Sequence, residues 1–358
     1  MNFYYNFPAV RGVQAEREYY ISMVPLSLLA KIFPSDEEIV SAEFRAQRRI
    51  NEARIPEIRD YILENRNSYV FSALSASIDG EFTFEGTEHP DLGILHISMD
   101  AVMLINDGQH RKAAIQAAIE DSPELGSETI SVVFFKDEGL SRSQQMFTDL
   151  NKHAVKTSNS LSALYDTRDE IAVVTRNVIS KIPFFARYTD KERDILGKNS
   201  SKLFTLNTLY KANRKIVKAE SCTEEDEAFL YKYWSTLANQ IGEWQDVLSR
   251  RISKKDLREN YIVTLAVTIS AFGRLGHYFY EHENIDLEKS LKNLSQLDWQ
   301  RSNREWVGRA IRPNGKVQNS EEAALLICSK IKQVLDLPLT KDEEQKEQKL
   351  LEISYYGN

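Results

Sequence analysis

The sequence predicts an α+β fold in which an α/β domain over residues 1–160 is followed by a mostly helical domain over 161–358. Three observations carry that reading. Short β-branched and aromatic runs alternate with helix-like segments up to about residue 150, as strands and helices sharing one core require. Beyond residue 157 the β-branched runs thin out, glycine becomes sparse and long helical stretches dominate. Between the two regimes lies a polar segment, Asn151-Lys152-His153-Ala154-Val155-Lys156-Thr157, which places the boundary at residues 155–165.

In the first domain, Val10–Val13 and Tyr19–Val24 flank the polar Gln14-Ala15-Glu16-Arg17 and predict a hairpin. Pro25 suits the first turn of a helix over Leu26–Ile32. Ile55, Ile58, Tyr61 and Ile62 share one face of an amphipathic helix over 55–63. Tyr69–Ile78 and Phe82–Phe84 flank Asp79-Gly80, a strong hairpin signal. Strands follow at Ile94–Ile97, Val102–Ile105 and Ile130–Phe135, with a helix over Ala113–Ile119. In the second domain, helices are expected over 158–181, 205–219, 223–241, 254–281, 319–335 and 340–353, the last a charged and loosely held tail.

A chain of 358 residues with 42% hydrophobic and 28% charged content has enough apolar surface to fold, which excludes a disordered class. The two cysteines, Cys222 and Cys328, form no C-x-x-C pair, which argues against a structural zinc site and a disulfide framework and leaves two ordinary buried thiols. The N-terminus lacks the basic and apolar regions of a signal peptide, and the longest apolar run, Ile262–Phe272, is too short to span a bilayer. The expected location is the cytoplasm, with no membrane partner.

The net charge of −7 disfavours nucleic acid until its distribution is considered. Residues 176–218 hold eleven Lys/Arg against three acids, a local +8. A second cluster comprises Arg250, Arg251, Lys254, Lys255 and Arg258, and a third Arg301, Arg304, Arg309, Arg312 and Lys316. Such clusters either meet phosphates or are solvated helix faces. Lys211, Arg214, Lys215 and Lys218 are the candidate DNA contacts of the first cluster. Tyr231, Tyr233, Trp234 and Trp244 are expected to pack the helical core, and His277 and His282 are five apart, a poor spacing for a shared metal.

The most informative segment is Val102-Met103-Leu104-Ile105-Asn106-Asp107-Gly108-Gln109-His110-Arg111, where an apolar strand runs into Asp-Gly and a helix begins at once. Asp107 suits the N-cap and Gly108 permits close approach of a ligand. The helix N-terminus and Arg111 can together hold an anion, Arg111 in two-pronged fashion. Gln109 and His110 could orient a phosphate, a ribose or a water. The competing reading is a helix cap in which Arg111 pairs with a carboxylate.

Asp107–Arg111 spells the signature of the DGQHR-domain proteins, and its surroundings resemble the DndB family, regulators encoded beside the DNA phosphorothioation machinery. The resemblance includes Phe7-Pro8-Ala9-Val10-Arg11-Gly12-Val13-Gln14, Arg54-Ile55-Pro56-Glu57-Ile58, Ser77-Ile78-Asp79-Gly80 and Phe147-Thr148-Asp149-Leu150-Asn151-Lys152. With Tyr19–Met23, Arg45–Arg48, Phe71–Leu74 and Ser158–Ala163 it covers most of the first 165 residues. The helical half carries no motif as sharp. More distantly, the turn is similar to the Gly-x-x-Arg turn that binds nucleotide phosphates in the N-terminal domain of ParB partition proteins. Gly108 and Arg111 keep that spacing, while Gln109-His110 replace the acidic and basic residues usual there.

The resemblance implies a DNA-binding transcriptional regulator of a phosphorothioate-modification gene cluster, with a ParB-like DGQHR domain over residues 1–160. Double-stranded DNA of its own promoter region is the implied partner. Other phosphorothioation proteins and a second copy of the chain are further candidates, and a nucleoside triphosphate is the candidate cofactor. Arg45, Arg48 and Arg49 could meet phosphate beside Arg111 or form a salt-bridged helix with Glu43, Glu52 and Glu57. Asn151, Lys152 and His153 could serve a nucleotide or DNA site or form a plain connector. The alternative function is a nucleotide hydrolase or DNA nickase in which Asp107, Gln109 and His110 activate a water. Sulfur transfer is disfavoured, because neither cysteine lies in a reactive motif.

Overall fold

The computed structural model describes residues 3–33, 52–137, 139, 145–146, 149–150, 157–219, 221–282 and 284–356. The chain divides into two compact units, 1–155 and 156–358, each with its own hydrophobic cluster.

The first unit is built on seven strands: β1 (Tyr4–Gln14), β2 (Arg17–Pro25), β3 (Leu74–Asp79), β4 (Phe82–Gly86), β5 (Leu92–Ser98), β6 (Val102–Asp107) and β7 (Thr129–Lys136). Their order in the sheet is β4-β5-β1-β2-β7-β3-β6, with β3 and β7 parallel and the other pairs antiparallel. β1 and β2 form the expected hairpin. Its two-residue turn puts Ala15 and Glu16 at φ 51° and 63°, the left-handed conformation such turns need.

The Asp79-Gly80 signal reads differently in three dimensions. β3 and β4 do not pair with each other; β3 pairs with β6, and β4 with β5. Residues 74–86 and 92–107 therefore form one long ribbon whose turn lies at 87–91 and which bends at Gly80. In a flat sheet β3 and β4 would lie five strand spacings apart, roughly 24 Å. The three Cα steps from Asp79 to Phe82 reach at most about 11 Å. The sheet therefore curls, and Ser98 donates its N–H to the Glu81 carbonyl at 3.0 Å across the bend. Gly80, at φ +135°, allows the corner: a Cβ there would lie 2.7 Å from the Ala101 Cβ.

Alternation along the strands turns Phe7, Ala9, Val24, Leu74, Ala76, Ile105, Val132 and Phe134 to one buried face. Helices α1 (Leu26–Ile32), α2 (Ile55–Glu64) and α3 (Gln109–Asp121) complete that core with Leu29, Ile32, Ile62, Ile115 and Ala118.

The regular structure in the described part of the second unit is almost entirely helical. The expected helix over 158–181 is two, α4 (Asn159–Tyr165) and α5 (Glu170–Lys181), each begun by a capping side chain, Ser158 and Asp169. They are followed by α6 (Pro183–Tyr188), α7 (Leu206–Val217), α8 (Glu224–Gln240) and α9 (Gly242–Leu248). The expected helix over 254–281 is also divided, into α10 (Lys254–Asn260) and α11 (Ala266–Glu281), because Ile262 donates instead to the Trp299 carbonyl. α11 is mostly buried and mostly apolar, with Arg274, His277 and Glu281 on its less buried stripe. Gly273 and Gly276 let α7 approach it: a Cβ at Gly273 would lie 2.9 Å from the Ala212 carbonyl oxygen. Tyr233, Trp234 and Trp244 are core residues, as expected, whereas Tyr231 is exposed.

The charged C-terminal segment is firmly held, contrary to expectation. Glu343 of α13 (Lys341–Tyr356) pairs with Lys332 of α12 (Glu321–Val334), both side chains buried. Glu347 receives both ends of the buried Arg309 guanidinium, which also donates to the Leu326 carbonyl at 3.1 Å. Removing one partner of such a pair leaves a buried charge uncompensated. Glu347→Ala should accordingly destabilise the protein by about 3–5 kcal/mol, read as a lowered midpoint in urea unfolding.

Candidate functional site

The Asp107–Arg111 turn joins β6 to α3 at the edge of the sheet. Gly108, not Asp107, holds the N-cap position, with φ 103° and no side chain to cap the helix. The expected capping role of Asp107 is thus corrected: its carboxylate is committed to Arg111, whose Nη2 lies 2.6 Å from Oδ2. Glycine is required at position 108 twice over, for its left-handed conformation and because a Cβ would sit 2.3 Å from the Leu74 Cδ2.

Arg111 is mostly buried, and its guanidinium has further acceptors. Nη1 donates to the Ser72 carbonyl and hydroxyl oxygens, both at 2.6 Å, and to the Ala73 carbonyl at 2.9 Å. The side chain therefore pins the segment that leads into β3. A two-pronged grip on a phosphate has to compete with these contacts. The adjoining Lys112, which composition did not single out, is buried on the inner face of α3. Just before β6 ends, the fully buried Asn106 donates to the Ser77 hydroxyl at 2.6 Å.

Upstream of the pin, residues 66–71 and the start of β7 line a cleft of about 440 Å³, with Arg66, Tyr69, Phe71, Glu128 and Ser131 among its walls. Glu128 accepts from both Tyr69 and Arg66. Burial, and then that hydrogen bond, pushes the Tyr69 phenol up to about 12.

Of the other sequence-derived candidates, Arg45, Arg48, Arg49, Asn151, Lys152 and His153 lie outside the described residues. Lys211, Arg214, Lys215 and Lys218 all belong to the α7 region but differ in environment. Lys215 is tied to Glu321, which Arg274 also contacts, and to the Ser270 hydroxyl. Arg214 lies 6.0 Å from the Tyr210 ring centroid, and Lys211 and Lys218 are exposed.

Part of the first cluster meets the second in space. Arg258 at the end of α10 donates to the carbonyls of Gly197, Ser200, Leu196 and Lys198, at 3.0 to 3.4 Å, and so holds the 196–200 loop against the helix. Lys254 and Lys255 lie one turn earlier on that helix. Arg301, of the third cluster, donates to the Arg258 carbonyl at 2.7 Å, and its burial lowers its pKa. Arg193, Lys198, Arg250, Arg251, Lys255 and Arg304 are exposed here and in the flanking loops. The nearby acids Asp190 and Asp194 accept backbone N–H groups. Nothing local in the sequence signals Arg258 and Asp194 as loop anchors, because their partners are distant in the chain. Among the described residues, no group of three or more His, Cys, Asp or Glu is placed to hold a metal ion, and no helix is long and apolar enough to cross a membrane.

A strand-to-helix Asp-Gly-Gln-His-Arg turn on a curled mixed sheet, followed by a helical unit, defines the class to which the sequence already pointed. The family model for DndB, described as DNA-sulfur modification-associated, matches residues 7–338, and the chain belongs to that family. Membership places it in DNA phosphorothioate modification. No curated protein and no solved structure matches the chain.

The geometry makes Gly108 and Arg111 determinants of stability. Gly108→Ala should cost about 1–3 kcal/mol from backbone strain alone. Arg111→Ala leaves several acceptors without their donor, at about 1–3 kcal/mol. Arg111→Lys should restore only part of that, because the ammonium lacks the planar fork. Thermal unfolding of the three variants against the unaltered chain measures the order.

Proposed function

We propose that the chain is a DNA-binding transcriptional regulator of a phosphorothioate-modification gene cluster and that double-stranded DNA of its own promoter region is its partner. The observation that supports this beyond family membership is the meeting of two sequence-distant basic clusters at the 196–200 loop and α10. Arg193, Lys198 and Lys255 are exposed there, beside the exposed acids Glu192 and Glu259. Such a surface supplies phosphate contacts on a chain whose net charge is −7.

In this reading the Asp107–Arg111 turn handles phosphate, with a nucleoside triphosphate as candidate ligand. The dipole of the 13-residue helix α3 favours an anion at its start. To grip one, Arg111 releases Ser72 and Ala73, so ligand binding is coupled to the entry of β3. Calorimetric titration with ATP and with GTP, with and without promoter DNA, tests this. Saturable binding is expected, and steady turnover of the nucleotide would favour the hydrolase alternative.

Counterion release makes DNA affinity fall steeply with salt. Fluorescence anisotropy should show tighter binding to the chain's own promoter than to a scrambled duplex, and a loss of affinity for both between two salt concentrations. Equal affinity for the two duplexes at both salts removes the regulator reading.

A further inference from the structure

Ile195 is the most exposed large apolar side chain among the described residues, with 84% of its surface accessible. A single exposed apolar residue is ordinary by itself. What sets Ile195 apart is the construction of the loop that presents it.

The loop is closed at its base by the parallel pairing of Thr189–Asp190 with Phe204–Thr205 and by the Leu203 N–H on the Tyr188 carbonyl at 2.8 Å. Its first leg begins with Asp190, whose carboxylate accepts from the N–H groups of Glu192 and Arg193, both at 2.9 Å. Asp194 then docks the leg on the start of α4. It accepts from the backbone N–H groups of Asn159 and Ser160, both at 2.8 Å, and from the Asn159 amide and Ser160 hydroxyl, both at 2.9 Å. Burial alone would raise its pKa, but these hydrogen bonds outweigh burial and lower it. The second leg, 196–200, is held by the Arg258 guanidinium on four carbonyls. Ile195 is the one residue between the two docked legs. The fold holds an isoleucine outward on a braced tip.

The charges beside the tip choose the partner. Arg193 and Lys198 flank Ile195 and are exposed, while Asp190 and Asp194 are half-buried and accept backbone N–H groups. Glu192 is the one acid of the loop left exposed. An apolar tip between cations is the arrangement by which minor-groove proteins unstack a base step while gripping the phosphates on either side. An acidic protein partner would satisfy the cations but gives no reason for a braced apolar point.

We propose that the 190–202 loop docks in the minor groove of duplex DNA, with Ile195 as a wedge that bends the duplex and Arg193 and Lys198 on the adjacent phosphates. The inference rests on the DNA-binding reading above and adds the contact surface and the mode of binding. Pyrimidine–purine steps, which unstack most easily, are the preferred point of entry.

The test uses the full chain and a duplex of its own upstream region carrying fluorophores at both ends, so that energy transfer reads the bend and anisotropy reads affinity. The unaltered chain should bend the duplex. Ile195→Ala should remain folded by circular dichroism, lose the bend and bind roughly tenfold more weakly, with an unchanged salt slope. Ile195→Leu should retain both bend and affinity. Arg193→Gln with Lys198→Gln should lower the slope of log affinity against log salt by about 2. If the unaltered chain binds no duplex, the DNA-binding reading falls and the wedge with it. If it binds, but Ile195→Ala keeps both bend and affinity, the wedge alone is overturned. A bend that survives Ile195→Ala while the double charge variant loses affinity would make the loop a phosphate clamp without insertion.

Discussion

The first unit depends on one guanidinium. Arg111 reaches from the first turn of α3 to the carbonyls of Ser72 and Ala73, the last two residues before β3, and to Asp107, the last residue of β6. It ties together the entry of one strand and the exit of its neighbour, and both belong to the ribbon that closes the curl of the sheet. A mostly buried guanidinium needs acceptors on several sides, and this one has them only when β3, β6 and α3 are all in place. The motif that marks the family is thus also a lock on the fold. A ligand role and a structural role are compatible here, because a ligand that draws Arg111 away also acts on β3.

The same region shows how a strong local signal can be overruled. Asp-Gly between two β-compatible runs favours a two-residue hairpin. Here the ribbon gains more by laying β3 beside β7 and β5 beside β1, which extends the hydrophobic face across both. Gly80 then serves as a corner in a bent strand, where Ala101 packs too closely to admit a Cβ. The residue type that permits a tight turn equally permits a sharp bend, so the sequence could not choose between them.

Beside those held in surface ion pairs, such as Lys215 with Glu321, the basic residues of the second unit that look alike in sequence divide into three kinds. Arg309 is a core ion-pair partner of Glu347, and Lys332 one of Glu343. Arg258 and Arg301 are backbone clamps that shape loops. Lys198, Lys255 and Arg304 are exposed. The third kind is open to a diffusing polyanion without prior rearrangement. Charge counts along the chain overestimate the available cationic surface for this reason, while spatial convergence restores part of it.

Much of the architecture was legible in the residues alone. The β1–β2 hairpin, the strand-to-helix step at Asp107–Arg111 and the change from a mixed to a helical regime all rest on interactions between residues a few positions apart. Alternation, helical periodicity and turn chemistry record such interactions directly. The family followed from the same short-range patterns. What tertiary structure decided lies in long-range partners: the order of the seven strands, the role of Gly108 rather than Asp107 at the helix start, and the holding of the charged C-terminal helix by Arg309 and Lys332, 38 and 11 positions before their partners. The environment of Ile195 belongs with these, set by Asn159, Ser160 and Arg258, which are 36, 35 and 63 residues away in the chain. A carboxylate or guanidinium carries no mark of which distant carbonyl or amide it will meet. The physical reason is that folding brings those groups together through burial, which acts on the whole chain rather than on any segment of it.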